Sequence, residues 1–122
     1  MTTTNDRHEA LFTTFVRAFL NKDLAQVAQC LASHFAWRLP SGETYTGKDN
    51  ALAFMAKRFA DPNGPEFSDS SSFAFHGDTV IQTYEVKAMG ANGQRQLVAG
   101  LDVYQIEEGL IVRKDAYWKQ LR

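Results

Sequence analysis

The most constraining feature of this chain is a change in the spacing of its apolar residues along the sequence. In the first half they recur every three or four residues, and in the second half they alternate with polar residues. The first spacing places side chains on one face of a helix, and the second places them on one face of a strand. Helices followed by a run of strands predict an α+β fold in which the helices cover one face of an antiparallel sheet.

Three segments have the helical spacing. Their apolar positions are Phe12, Phe15, Val16 and Phe19 in the first, Leu24, Val27, Ala28 and Leu31 in the second, and Leu52, Met55 and Phe59 in the third. Asn5 or Asp6 is the expected N-cap of the first helix, and Asp23 that of the second. Two prolines and a glycine in residues 61–65 end the third. Between the second and third helices, residues 35–39 alternate and turn into residues 43–46, which predicts a short hairpin.

Four longer segments alternate as strands do: residues 67–76, 79–88, 95–106 and 110–119. Turn sequences rich in Gly, Asn, Asp and Glu separate them. Asn92-Gly93 is the strongest hairpin signal, because a type I′ turn needs positive φ at both central residues. The second half of the chain is therefore predicted to be an antiparallel meander.

The composition fits one folded domain that spans residues 1–122. The chain is 44% apolar, and its 13 Lys and Arg against 14 Asp and Glu give a net charge of −1, which argues against a nucleic-acid surface. No stretch has the roughly 20 apolar residues of a membrane span, and the polar N-terminal sequence does not read as a signal peptide. A single cysteine, Cys30, and three scattered histidines predict no disulfide and no metal site. We expect a soluble cytoplasmic domain without a cofactor or a membrane partner.

Two stretches carry a family resemblance: FAWRLPSGETYTGKDNALAFM in the first half and GLDVYQIEEGLIVRKDAYWK at the end. With the order of elements, they resemble the nuclear transport factor two-like (NTF2-like) superfamily, and within it the SnoaL-like and ketosteroid-isomerase-like branch. The resemblance implies three helices packed on a curved, mostly antiparallel sheet that forms a conical barrel with a pocket. It also implies a homodimer. Because this superfamily contains isomerases, cyclases, hydrolases and non-catalytic domains, it does not define an activity.

Turn geometry predicts which residues share a face of the sheet. A two-residue loop at Asn92-Gly93 places Tyr84 opposite Leu101, and the more apolar face is then assigned to the helices and the pocket. The predicted pocket residues, including one from the third helix, are Trp37, Phe54, Tyr84, Leu101, Lys114 and Trp118. The opposite face carries Tyr104, Ile111 and Tyr117, which we expect at the homodimer contact.

Asp102 and Asp115 are the candidate catalytic residues, and the same pattern places them on the outer face. If Glu108-Gly109 is a two-residue turn, the two aspartates are direct cross-strand neighbours, with β-carbons about 4.5–5.5 Å apart. They would then form an acid/base dyad, a proton-sharing dimer contact or a cluster bridged by Arg113. A three-residue loop would instead place Asp102 opposite Lys114 and separate the aspartates.

The family resemblance bears on these candidates in two ways. SnoaL-like cyclases place an acid/base carboxylate on the last strand, and Asp115 is the nearest counterpart. The position of the ketosteroid-isomerase carboxylate falls at about Arg38 or Leu39, and neither residue can transfer a proton at neutral pH. The sequence thus departs from the isomerase pattern at that position.

Two functions remain open. The first is an enzyme that acts on a small, apolar carbonyl compound, in the manner of an isomerase or cyclase, with Asp102 or Asp115 as the acid/base. The second is a non-catalytic ligand-binding or dimerisation module of the same fold. The distinguishing feature is whether a titratable side chain other than Lys114 points into the cavity.

Overall fold

The computed structural model describes residues 3–121, apart from the side chains of residues 68–70. In chain order the elements are α1 (Thr4–Leu20), α2 (Leu24–Cys30), β1 (Leu31–Arg38), β2 (Thr44–Thr46), α3 (Lys48–Ala60), β3 (Glu66–His76), β4 (Thr79–Met89), β5 (Arg95–Glu107) and β6 (Leu110–Gln120). The predicted α+β class is confirmed, and each of the four long strands differs from its predicted range by one residue at one end. None of the described helices has the length and apolarity that a membrane crossing requires.

The helix starts follow from capping side chains. Thr3, and not Asn5 or Asp6, is the N-cap of α1: its hydroxyl accepts from the Asp6 amide at 3.0 Å, and the Asp6 carboxylate accepts in return from the Thr3 amide at 3.2 Å. Asp23 caps α2 as predicted. Leu31, expected in α2, is the first residue of β1.

The sheet has six strands in the order β2-β1-β6-β5-β4-β3, and β1 runs parallel to β6 while the other neighbours are antiparallel. Within the described residues, β2 and β3 are its two edges, so the curled sheet does not close into the predicted barrel. The conical form of the pocket stays a prediction. The parallel β1–β6 pair is possible because α3 and the meander separate the two strands in sequence.

The hairpin between β4 and β5 differs from the prediction by one residue. Asn92-Gly93 does not form a type I′ turn, because of these two residues only the glycine has a positive φ, of 77°. The loop comprises residues 91–93, the three-residue form that ends in a left-handed glycine. Tyr84 consequently lies opposite Gly100 and not Leu101. Because side chains alternate along a strand, this shift reverses the predicted faces of β5.

The turn between β5 and β6 is the predicted Glu108-Gly109 pair, with φ values of 53° and 78°. Val112 is an extra residue of β6 between the pairs Gln105–Arg113 and Ile106–Ile111. This bulge shifts the pairing by one residue, so that Asp102 lies opposite Ala116 and not opposite Asp115. Neither of the pairings considered from the sequence forms. The two aspartates lie on opposite faces of the sheet, so the predicted cross-strand pair of aspartates is wrong.

These two shifts change the environment of four residues. Asp102 and Tyr104, expected on the outer face, are buried on the inner face, at 2% and 1% exposed. Ile111, expected in the dimer contact, is also buried in the core. Leu101, expected to line the pocket, lies on the outer face and is 38% exposed.

The main core lies between the helices and the inner face of the sheet. It is dominated by aromatic and branched side chains, whose largest fully buried members are Tyr104, Phe12, Phe35, Leu31, Met55, Ile106 and Ile111. A smaller cluster of Tyr84, Val86 and Val98 continues the core toward Trp118. The polar residues described next are set between these two apolar clusters.

Candidate functional site

Three cross-strand rows on the inner face of β4, β5 and β6 form the site. They are Tyr84, Gly100 and Trp118, then Gln82, Asp102 and Ala116, then Val80, Tyr104 and Lys114. Gly100 and Ala116 are small, which leaves room for longer side chains to meet over the strands. We refer to Gln82, Tyr84, Asp102, Tyr104, Lys114 and Trp118 as the buried polar cluster.

Asp102 is the centre of the buried polar cluster. One carboxylate oxygen, Oδ1, accepts a hydrogen bond from the Tyr84 hydroxyl at 2.8 Å. The other, Oδ2, lies 3.3 Å from the Tyr104 hydroxyl and 3.4 Å from Lys114 Nζ. A carboxylate has about four acceptor positions, and the contacts with Tyr84 and Lys114 leave at least one of them free.

Lys114 is the cation of the cluster and is 5% exposed. Its ammonium lies 4.9 Å from the centre of the Trp37 ring and 4.8 Å from that of Phe19, in addition to the ion pair with Asp102. Burial lowers the pKa of Lys114, and the neighbouring Asp102 carboxylate partly offsets this effect. The ammonium is thus held by a carboxylate and two aromatic faces in place of water.

The two tyrosine hydroxyls keep their protons. Burial raises the pKa of both Tyr84 and Tyr104, and the negative charge of Asp102 raises it further. Tyr84 donates to Asp102 and accepts from Trp118 Nε1 at 2.8 Å. Tyr104 also lies 2.8 Å from Gln82 Oε1, to which it donates. In this network the Tyr84 hydroxyl orients the Asp102 carboxylate, and the Tyr104 hydroxyl orients Gln82.

Two adjoining cavities reach this region. The smaller, of about 30 Å³, is lined by members of the buried polar cluster together with α1 side chains such as Phe15 and Val16. The larger, of about 340 Å³, is lined by Trp37, Met55 and Arg58 among others. The two share Phe19, Leu20 and Phe67. The smaller has room for water, and the larger is in the size range of small-molecule pockets.

The predicted pocket residues are distributed over these cavities and do not line one shared cavity. Tyr84 and Lys114 line the smaller cavity, Trp37 lines the larger, and Phe54 and Trp118 line a groove beside it. Trp37 and Trp118 lie on the same side of the sheet, as expected: both rings are near the Arg58 guanidinium, at 5.6 and 6.0 Å. Leu101 is absent from this side, for the reason given above.

Asp115 lies on the outer face and accepts a hydrogen bond from Arg113 Nε at 2.9 Å. Arg113 was the cation expected beside it. This hydrogen bond and the negative charge of Asp115 raise the pKa of Arg113. Neither residue of the pair lines the two cavities, so Asp102 lies on the inner face and Asp115 on the outer face.

Sequence reasoning missed two contributors to the inner side. Tyr104 was assigned to the outer face because the β5 register was displaced by one residue. Arg58 was overlooked, although it follows Phe54 by four residues and Met55 by three, which places it beside the apolar face of α3. The position of a cation at the border of an apolar helix face could have identified Arg58 from the sequence.

Three helices on an open, mostly antiparallel sheet define an NTF2-like fold, and solved structures agree. A candidate polyketide cyclase from Xanthomonas campestris superposes with a TM-score of 0.80 at 22% identity, covering 96% of this chain and 93% of that one. A candidate ketosteroid isomerase from Kribbella flavida has a TM-score of 0.77 at 17% identity, covering 96% and 81%. An NTF2-like protein of unknown function from Burkholderia pseudomallei has a TM-score of 0.78 at 19% identity, covering 93% and 91%.

Residues 12–114 match the SnoaL-like domain family, and the chain belongs to that family. No curated protein matches the sequence. Because the structural similarities are all below 25% identity, they show the fold and not the chemistry.

Proposed function

We propose that this SnoaL-like domain is an enzyme that transfers a proton on a small, largely apolar carbonyl compound, in the manner of an isomerase or cyclase. The observation that carries the proposal is the Asp102 carboxylate, which lines the smaller cavity, accepts a hydrogen bond from Tyr84 and forms an ion pair with Lys114. The distinguishing feature named from the sequence was a titratable side chain other than Lys114 in the cavity. Asp102 is that side chain.

Asp102 acts as the general base in the proposed reaction. Its free acceptor position takes the proton from the carbon next to the carbonyl group of the ligand, and the carbonyl oxygen becomes an enolate oxygen. The Lys114 ammonium, which has three N–H donors and one described carboxylate partner, stabilises this negative charge. Protonated Asp102 then returns the proton to a different carbon in an isomerisation. In a cyclisation, the enolate carbon instead attacks a second carbonyl group of the same molecule, and that oxygen takes the proton.

The surroundings favour an apolar body for the ligand. Phe15, Phe19 and Phe67 line the smaller cavity, and Phe19 and Phe67 continue into the larger one. The names of two similar structures, a candidate polyketide cyclase and a candidate ketosteroid isomerase, support an enzyme of this type. Asp115, the other candidate acid/base, has no part in the proposal because it lies on the outer face.

The test is exchange of protons next to a carbonyl group with solvent deuterium, followed by proton NMR. The substrates are a panel of cyclic ketones and 1,3-diketones with apolar bodies, with and without a carboxylate. Exchange detects base catalysis even when the physiological substrate and product are not known. We expect Asp102→Asn to slow enzyme-dependent exchange by about 10²–10⁴-fold, the typical contribution of a positioned base.

Asp115→Asn is the matched control, since it makes the same chemical change on the adjacent strand but outside the cavity. It should exchange protons at the wild-type rate. Circular dichroism of both variants checks that they fold, and Tyr84→Phe provides a second, milder change that removes one hydrogen bond to Asp102. Exchange no faster than in buffer, or equal in Asp102→Asn and the wild type, would favour the non-catalytic binding module.

A further inference from the structure

Arg58 occupies an unusual position on α3. Its guanidinium is half-buried and lies 5.6 Å from the ring centres of Trp37 and Phe54 and 6.0 Å from that of Trp118. Arg58 also lines the larger cavity. Burial lowers the pKa of Arg58, yet an arginine stays charged at neutral pH. The aromatic rings thus surround a cation that has lost part of its water.

The Arg58 guanidinium donates no hydrogen bond to the described residues, in contrast to the other cations of the larger cavity. Arg95 forms an ion pair with Glu66 at 3.3 Å and donates to the carbonyl oxygens of Gly64 and Pro62. Lys22 donates to a backbone carbonyl oxygen. No described carboxylate forms an ion pair with Arg58. The guanidinium therefore has N–H donors available for an anion that enters the cavity.

Trp37 provides an independent observation at the same cavity. Its side chain is 3% exposed, and its indole Nε1 has no hydrogen-bond partner among the described residues. Buried indole N–H groups ordinarily find an acceptor. The residue with the unsatisfied indole N–H and the arginine without an anionic partner thus line one cavity, and a hydrogen-bond acceptor bound there would suit both.

We propose that the ligand carries a carboxylate, which Arg58 and the Trp37 indole N–H bind in the larger cavity. A guanidinium fork matches the two oxygens of a carboxylate, and the surrounding rings suit an apolar body. The carbonyl group of this ligand rests on the proposed function. With it, the substrate is an apolar keto acid whose carboxylate binds Arg58 and whose reacting carbonyl lies near Asp102. Trp37 lies between the two ends, since its ring contacts both Arg58 and Lys114.

Matched pairs of small probes test the carboxylate site by isothermal titration calorimetry. The probes are phenylacetate and 2-naphthylacetate, each compared with its neutral amide, which has nearly the same shape. The wild type should bind the acids at least about tenfold more tightly than the amides, the effect of one charge-assisted hydrogen bond. Arg58→Met keeps the apolar stem and should remove this preference, and Trp37→Phe should reduce it.

Arg38→Met is the control, because Arg38 is an exposed arginine next to Trp37 in sequence and points to the other side of β1. It should bind the acids as the wild type does. Equal affinity for acids and amides, failure of both acids to bind, or a preference that persists in Arg58→Met overturns the inference.

The two proposals fail separately. If acids and amides bind alike while proton exchange still depends on Asp102, the carboxylate site is wrong and the proposed enzyme stands. If the preference for acids depends on Arg58 but Asp102→Asn exchanges protons as fast as the wild type, the proposed chemistry is wrong and the carboxylate site stands.

Discussion

At the scale of single residues, the burial of Asp102 and Lys114 is the feature most in need of an explanation. Taking either charge out of water alone is expensive, and the pair is tolerated because each charge has several partners. Asp102 accepts a hydrogen bond from Tyr84 and faces the Lys114 ammonium, while Lys114 has Asp102 and two aromatic faces. The two charges therefore depend on each other, and removal of one leaves the other buried without its partner.

We predict that Lys114→Met destabilises the fold by about 3–5 kcal/mol at neutral pH, because it leaves the buried Asp102 carboxylate without its cation. Urea unfolding monitored by circular dichroism measures the change. The double variant Lys114→Met/Asp102→Asn should lose clearly less than the sum of the two single variants. Strict additivity of the losses would show that the two groups are not energetically coupled.

The pH dependence of stability provides a further prediction for Lys114. Burial lowers its pKa from the ordinary value of 10.5. Between the lowered pKa and 10.5, the unfolded chain binds more protons than the folded one, so the free energy of unfolding rises with pH in this window. The difference in unfolding free energy between the wild type and Lys114→Met, measured from pH 7 upward, should widen. A difference independent of pH would contradict the lowered pKa.

At the scale of elements, the sequence predicted the strands well and the pairing between them poorly. The alternation of residues 95–106 was sufficient to locate β5. Which residues of β5 face the helices, however, depends on whether the loop at Asn92-Gly93 has two residues or three. A glycine at this position permits either form. The bulge at Val112 has no clear sequence signal. These two shifts of one residue moved Asp102 from the expected outer face to the centre of the site.

Gly100 shows how an element is adapted to this site. It lies between Tyr84 and Trp118 in the cross-strand row, and a Cβ there would overlap with the Tyr84 ring. The absence of a side chain lets Tyr84 extend over β5, where its hydroxyl meets both Asp102 and Trp118. The glycine in the strand is therefore explained by the close approach of the tyrosine.

Gly100→Ala should accordingly destabilise the fold by about 1–3 kcal/mol, the usual effect of overpacking, although alanine is otherwise the better residue in a strand. Chemical unfolding measures the loss, and the indole fluorescence of Trp118 should change as its hydrogen bond to Tyr84 is displaced. In a Tyr84→Ala background the same substitution meets no ring and should cost nothing. An equal loss of unfolding free energy in the wild-type and Tyr84→Ala backgrounds would show that Tyr84 is not the reason for the glycine.

At the scale of the whole molecule, the two faces of the sheet have different roles. The inner face carries the buried polar cluster and the cavities, which the family membership alone would not have located. The outer face is mixed: the Arg113–Asp115 ion pair lies near two exposed apolar residues, Leu101 and Tyr117, at 38% and 55% exposed. These two are direct cross-strand neighbours. Tyr104 and Ile111 are buried, so Tyr117 is the one residue of the predicted dimer contact that is exposed, and Leu101, predicted in the pocket, joins it on the outer face.

We predict that two copies of the chain associate through this outer face and bury Leu101 and Tyr117. Light scattering at tens of micromolar should give twice the 13.7 kDa mass of the chain, which corresponds to a binding free energy of at least roughly 6 kcal/mol. Tyr117→Lys combined with Leu101→Lys should give a monomer, because two buried like charges would face each other across the twofold axis. Ala53→Lys, on the exposed side of α3, should leave the mass unchanged. A monomeric wild type would contradict the dimer. A double lysine variant that is still dimeric would show that the contact is not on this face.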